Sequence, residues 1–285
     1  VYQLTFQLGF YLHDPQHQIR DALLDHLGFS TDNAIVQFQS KVHAHQTQLP
    51  QVTVKGVRNI IAISSGKGGV GKTTTAVSIA LALKQQGARV GLLDADIYGP
   101  NVATMLGCHT LPTLGKEGPF EPVLLHGLQT MSMAYLVDLN VPMIWRGPMI
   151  SKALQQLLHL TQWQDLDYLV VDMPPGTGDI PLTMAQKIPL AGVVTVTIPH
   201  EASYADARRS VEMFKRMKIH ALGFVENMSS YQCSSCGHEQ SLFGEVSRSS
   251  EHFEQTMLGE VPINVHHNMS WVKQMPLMES SQAEP

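Results

Sequence analysis

Residues 66–73 read Gly-Lys-Gly-Gly-Val-Gly-Lys-Thr, set between the apolar run Ile60 to Ser64 and a helical pattern that places Ala76, Ile79, Ala80 and Leu83 on one face. A strand that ends in such a loop and turns directly into a helix leaves a chain little choice of fold. Gly66, Gly68, Gly69 and Gly71 let successive backbone N–H groups converge on an anion, and the helix N-terminus behind them adds its dipole. In this arrangement Lys72 reaches the β- and γ-phosphates of a nucleotide and the Thr73 hydroxyl meets Mg2+, with Lys67, Val70 and Thr74 completing the nucleotide-binding loop.

From Val57 onward, short β-branched runs alternate with helical segments, the rhythm of a parallel sheet covered on both faces. Strands are expected at Ile60 to Ser64, Val90 to Asp94, Tyr168 to Asp172, Val193 to Ile198 and Leu222 to Glu226, and a later helix carries Ala207, Val211, Phe214 and Met217 on one face. The fold class is therefore α/β, a doubly wound, mostly parallel sheet of the P-loop NTPase type. Hydrolysis asks for carboxylates at strand ends near the γ-phosphate. Asp94 and Asp96 follow one strand and Asp172 another, at the carboxyl edge where doubly wound sheets bind ligands. Helix capping and turn formation are the competing uses of such residues, and for Asp179 capping is as good a reading as catalysis.

The front of the chain has a different rhythm. Tyr2, Leu4, Phe6, Leu8 and Phe10 alternate with polar residues as in a half-buried strand, Ile19, Leu23 and Leu27 recur through a helix, and Ala34, Val36 and Phe38 alternate again. Residues 1–40 thus read as a partial small α+β accessory domain of β-α-β form, too short for a robust core of its own. Residues 41–56, rich in His and Gln, read as a linker, 57–275 as the nucleotide-binding body and 276–285 as a frayed polar tail.

No stretch of the 285 residues approaches the roughly 18 uncharged apolar positions of a membrane helix. A net charge of −5, with no basic run, gives no footprint for nucleic acid. Neither a membrane nor a nucleic acid is expected as a partner. Cys108, Cys233 and Cys236 do not make a disulfide framework and fit a reducing cytoplasm. The chain opens at Val1 rather than at a Met, which leaves room for an upstream targeting segment.

Cys233 and Cys236, on a loop after the strand ending at Glu226, have the spacing with which two thiolates grip one metal centre. By spacing alone an iron–sulfur cluster, half a zinc knuckle with His238 as third ligand, and a redox dithiol all remain open. A four-thiolate site needs unexpected folding or a second copy, and a symmetric homodimer supplies the second copy. Cys108 reads as a small buried hydrophobe.

With these residues in place, the chain resembles the Mrp/NBP35 group of deviant-Walker-A ATPases, iron–sulfur cluster carriers related to MinD, ParA and the nitrogenase iron protein. The resemblance spans about Val57 to Val265. It is carried by the extra lysine Lys67, by Asp94-Ala-Asp-Ile-Tyr-Gly-Pro-Asn101, by Trp145-Arg-Gly-Pro148, by Asp172-Met-Pro-Pro-Gly-Thr-Gly-Asp179, and by Glu226-Asn-Met-Ser229 followed by Cys-x-x-Cys. It implies a homodimer in which Lys67 crosses to the partner's nucleotide, Asp96 orients the attacking water, Asp172 sits near Mg2+ and Asn227 hydrogen-bonds the adenine. Lys67, Lys72 and Asp96 are then the catalytic set. Paired Cys233/Cys236 loops bridge a 4Fe-4S cluster destined for apo iron–sulfur proteins, with slow hydrolysis of ATP. Residues from Val1 to about Phe38 resemble the later part of a small domain that many bacterial members carry in front.

Two departures stand out: Pro199-His200 replaces the group's common Pro-Gln, and the chain stops about 22 residues after Ile263. A MinD- or ParA-like positioning ATPase and a zinc-stapled P-loop switch are the alternatives. His43, His45, His266 and His267 read as solvated, Met131, Met133, Met143 and Met149 as core filling or switch-adjacent surface, and Trp145-Arg146 as near the dimer interface.

Overall fold

The computed structural model describes residues 2–9, 16–29, 34–108, 119–135, 147–233, 235–243 and 253–263. Trp145, Arg146, Met143, His266, His267 and the expected tail lie outside these residues. The chain begins with β1 (Tyr2–Leu8), α1 (Gln16–Leu27) and β2 (Ala34–Ser40), and the two strands pair in parallel with Tyr2 opposite Ala34. Leu4, Phe6 and Leu8 form the more covered side of β1, as their alternation requires. The helix departs from its four-residue repeat, because Leu24 is buried while Ile19 and Leu27 are exposed. Adjacent leucines at 23 and 24 pull the covered stripe away from the line through Ile19 and Leu27, and a two-stranded sheet is too narrow to cover both.

Residues 41–56, expected as a linker, run as a strap fastened along its length. Val42 and Val54 are buried. Asn59 accepts from the His45 N–H and donates to the His43 carbonyl, while the two imidazoles stay exposed. Gln48 donates to the carbonyls of Ala185 and Ile188 and accepts from the Leu190 N–H, so one amide satisfies three backbone groups.

The body follows as β3 (Val57–Ser65), α2 (Lys72–Gln85), β4 (Val90–Asp94), α3 (Val102–Met105), β5 (Val123–Leu125), β6 (Leu128–Ser132), α4 (Gly147–Leu160), β7 (Leu166–Asp172), α5 (Asp179–Lys187), β8 (Gly192–Thr197), α6 (Glu201–Arg216), β9 (Ala221–Gln232), β10 (Glu239–Gln240) and β11 (Met257–Ile263). Across the sheet the order is β10-β9-β8-β3-β7-β4-β6-β5, with β11 also paired to β9. Among the described strands of this sheet, only the β5–β6 and β9–β10 pairs are antiparallel. From β3 the chain moves out to β4 on one side and later returns to β8 on the other, which puts the loop after β3 at the switch point of the sheet.

Parallel strands need crossovers and cover on both faces, so the central strands are apolar on both sides. Ile60, Ala62, Leu93, Leu169 and Val171 pack with Ile150 and Leu154 of α4 and Met184 of α5. Ile63, Leu92, Val170 and Val194 pack with Ala76, Val77 and Ala80 of α2, whose small side chains let the helix lie close on the sheet. Leu92 is fully buried, and truncating it to Ala costs about 2–5 kcal/mol. Two features of the sheet's edges have no clear signal in the sequence. β5 and β6 join through His126 and Gly127, both at positive φ (49° and 77°), the two-residue turn that suits twisted strands. The edge strand β11 carries Pro262, which its pattern does not advertise as a strand.

Candidate functional site

β3 delivers Ser65 to the carboxyl edge, and residues 66–71 turn the chain into α2. Gly69 and Gly71 have φ of 79° and 83°, where a β-carbon costs about 1–2 kcal/mol. Gly66 is required by contact instead: a β-carbon there would collide with the backbone of Asp206 and Ala207 on α6. Val70 anchors the loop from below, buried among the side chains under α2. The N–H of Gly176, in the loop after β7, donates to the Ser65 carbonyl at 2.8 Å and ties the two loops together.

Lys72 and Thr73 open α2 and converge on Asp172, the last residue of β7. The Lys72 ammonium donates to Oδ1 of Asp172 and the Thr73 hydroxyl to Oδ2, each at 2.6 Å, and Asp96 lies 3.4 Å from the same ammonium. Asp172 has no exposed surface. Burial holds its carboxyl above the ordinary range, opposed by the charge and hydrogen bond of Lys72 and the hydrogen bond of Thr73. Thr73 and Asp172 present hard oxygen donors side by side, a donor set that suits Mg2+.

Asp94 and Asp96, adjacent in the sequence motif, part company in the structure. Asp94 is buried opposite Asp172 in the strand register and accepts from the N–H groups of Asp96 and Val102 at 3.2 Å and from the Ser132 hydroxyl at 3.1 Å. Burial, and after it the Asp172 charge, push this carboxyl up to about 7 against those backbone donors. It folds the loop that carries Asp96. Asp96 itself retains 13% side-chain exposure and faces a cavity of about 410 Å³.

That cavity is lined by Lys67, Gly68, Gly69, Gly71, Lys72, Thr73, Thr74 and Asp96, as the sequence pattern requires. Asn101, Met105 and Met228 join them. The last two have no sequence signal as cleft residues, since a methionine at the end of a short helix, as Met105 is, or within a strand, as Met228 is, reads as core. Asn227, expected at the base, points its amide N–H at the Val70 carbonyl of the phosphate loop, 2.9 Å away. Asp179 is the first residue of α5 and is exposed; Gly178 holds the cap position and no side chain bonds there, so Asp179 contributes its charge to the first turn rather than a cap.

The cysteine pair sits in a tighter element than the expected loop. β9 continues past Glu226 to Gln232 and pairs back with β10 through Gln232–Glu239 and Tyr231–Gln240, so Cys233 and Cys236 form the turn of a hairpin. The Cys233 N–H donates to the His238 carbonyl and the Gly237 N–H to the Cys233 carbonyl, both at 2.9 Å, with Gly237 at φ 70°. Backbone N–H groups of Cys236 and Ser235 aimed at the Cys233 sulfur lower its pKa. This favours the thiolate, which is the metal-binding form. Cys236 is exposed, and among the described residues no third His, Cys, Asp or Glu completes a metal group with the pair. Cys108 is only partly buried and packs against the core that also holds Ile150 and Leu154 of α4. No helix among the described residues is long and apolar enough to cross a membrane.

A phosphate loop at the switch point of a parallel sheet, with Lys72 and Thr73 facing a strand-end carboxylate, defines a P-loop NTPase. The chain belongs to the ParA family, whose description, NUBPL iron-transfer P-loop NTPase, fits residues 56–285. The iron-sulfur cluster carrier protein of Pseudomonas fragi is 56% identical over 205 residues, covering 71% of this chain and 71% of that protein. The protein of the same description from Escherichia coli is 51% identical over 218 residues, 75% of this chain but 59% of its own length. Among solved structures, the nucleotide-binding protein of Archaeoglobus fulgidus in complex with ADP is 34% identical with a TM-score of 0.66, across 81% of this chain and 90% of that one.

Proposed function

We propose that this chain is an ATP-binding iron–sulfur cluster carrier that works as a homodimer, accepts a 4Fe-4S cluster as cargo between two Cys233/Cys236 hairpins, passes it to apo iron–sulfur proteins and hydrolyses ATP slowly. The observation that carries this reading is the hairpin turn itself. It presents two sulfur donors, one favoured as thiolate and one exposed, with no third ligand among the described residues of the same chain. Two such turns on a two-fold axis supply the four thiolates a cluster takes. The relatives described as cluster carriers support the cargo, and the ADP complex supports the nucleotide.

At the nucleotide site, the backbone N–H groups of Gly66, Lys67, Gly68, Gly69, Val70, Gly71 and Thr74 serve the phosphates. Lys72 turns from Asp172 toward the β- and γ-oxygens. Thr73 and Asp172 hold Mg2+, which when bound neutralises charge on the phosphate oxygens. Asp96 orients the attacking water, Lys67 reaches the partner's nucleotide, and Asn227 keeps its side-chain oxygen for the adenine amino group. Catalysis here is positioning and charge neutralisation rather than covalent chemistry, which fits a slow turnover used for switching.

The test is transfer. Protein reconstituted anaerobically with iron and sulfide is mixed with an apo enzyme that requires a 4Fe-4S cluster, and acceptor activity is followed. The wild type activates the acceptor, and the Cys233→Ala/Cys236→Ala variant does not. Equal activation by both proteins would overturn the reading.

A further inference from the structure

We infer that Asn227 is a positioning residue that couples the phosphate loop to the cysteine hairpin through a bulge in β9. The inference rests on the reading of the two sites given above, but its geometry lies within one chain. The Asn227 amide donates to the Val70 carbonyl and fits so closely that a β-carbon on Gly71 would collide with it. Loop residues 70 and 71 therefore cannot shift without moving Asn227 or breaking that bond.

Beyond Asn227 the strand is interrupted in a particular way. Val261 of β11 pairs with Asn227 and Ile263 with Tyr231, so residues 228–230 of β9 stand opposite the single Pro262. Proline has no N–H to donate to the ladder. Met228, the first bulged residue, is left-handed at φ 56° and lines the nucleotide cavity. A non-glycine residue in that region is strained, and such strain concentrates at segments that switch. Pairing resumes at Tyr231 and Gln232 with β10, and Cys233 follows immediately.

A second path fixes the far side of the hairpin. Gly66 lies against Asp206 and Ala207 of α6. At the head of α6, the His200 ring caps the helix by accepting from the Ala202 N–H and packs edge-on against Phe243, just beyond β10, at 6.1 Å. With that side held by α6, a displacement entering at Asn227 is taken up at the bulge and appears as a reorientation of the Cys233–Cys236 turn. Nucleotide occupancy thus reaches the thiols of its own chain without passing through a dimer interface.

The test uses metal-free, reduced protein, so it is read whether or not a cluster is ever carried. Alkylation rates of Cys233 and Cys236 are measured with and without saturating Mg-ADP, in wild type, Asn227→Ala and Asn227→Asp. Mg-tripolyphosphate, which has no base, is titrated against each. The wild-type rates change several-fold on saturation, whereas both variants show the same rates with and without nucleotide. Their tripolyphosphate affinity falls about tenfold, the size of one lost buried hydrogen bond. Undiminished tripolyphosphate binding with weakened ADP binding would assign Asn227 to the base alone and overturn the inference, as would variants that keep the wild-type response. Should neither variant fold, hydrogen exchange of amides 228–233 in the wild type decides: faster or slower exchange on nucleotide binding supports the coupling, and unchanged exchange overturns it.

Discussion

The ammonium of Lys72 lies 2.6 Å from Oδ1 of Asp172, a carboxylate with no exposed surface at the end of β7. Each charge compensates the other's burial, and this shapes what mutation does. Removing Lys72 leaves Asp172 buried and unpaired, a loss of roughly 3–5 kcal/mol. Lys72→Ala is therefore expected to lower stability in denaturant titrations as well as to abolish nucleotide binding. The double variant Lys72→Ala/Asp172→Asn regains most of the stability and none of the binding. Additive losses in the double variant would contradict the pairing.

Asp96 touches the same ammonium from the edge of the cavity, at 3.4 Å, without being part of the buried pair. Asp96→Asn is predicted to leave Mg-ATP affinity nearly unchanged while hydrolysis falls about a hundredfold or more, the usual worth of a group that handles the water's proton. Equilibrium binding and phosphate release on one preparation separate the two effects. A parallel fall in both would place Asp96 in binding instead.

The phosphate loop, Asp94, Asp96 and Asp172 were legible in the sequence because their signals are local: glycines at fixed spacing, and carboxylates that end apolar runs. What was not legible depends on distant partners. Asn227 meets Val70 from 157 positions away, and nothing near either residue announces it. Gln48 holds carbonyls of α5's end only because the strap passes there. β11 hides its strand character behind Pro262, and the Ile19–Leu23–Leu27 stripe of α1 gives way to Leu24 because a two-stranded sheet covers so little of the helix. The Cys-x-x-Cys spacing showed a metal grip, but the continuation of β9 to Gln232, which makes it a hairpin turn, follows from pairing with β10.

Asp94 gives the stability of the protein a pH dependence with a definite sign. Its carboxyl is raised from 3.8 to about 7, first by burial and then by Asp172. As pH rises, the unfolded chain loses this proton first, so the stability it contributes is complete below the unfolded pKa and is lost on the way up to the folded one. Relative to Asp94→Asn, the metal-free wild type is expected to lose roughly 2–4 kcal/mol between about pH 4 and pH 7. Denaturant titrations across that range check it, and parallel curves for the two proteins would contradict it.

At the opposite edge of the sheet, Arg58 and Arg89 both clasp Asp167, whose side chain is 2% exposed. This cluster joins β3 and β7 at their amino ends, far along the strands from the phosphate loop. Asp167→Ala is expected to cost about 1–3 kcal/mol, because the Arg89 N–H loses its buried acceptor while the two partly exposed guanidinium groups keep Asp165 as a partner. ADP affinity of the folded variant stays at the wild-type value. Calorimetric titration below the unfolding midpoint checks this, and a weakened affinity would mean that the two edges are coupled.

In the proposed function, two chains share one cluster at their hairpin turns. Native mass spectrometry of anaerobically reconstituted protein tests it most directly. The predicted mass is that of two chains plus one 4Fe-4S cluster, with about four iron and four sulfide per pair, and with both the cluster and its mass lost in Cys233→Ala/Cys236→Ala. A monomer holding its own metal, a zinc adduct in place of iron and sulfide, or a cluster retained without the two cysteines would contradict it.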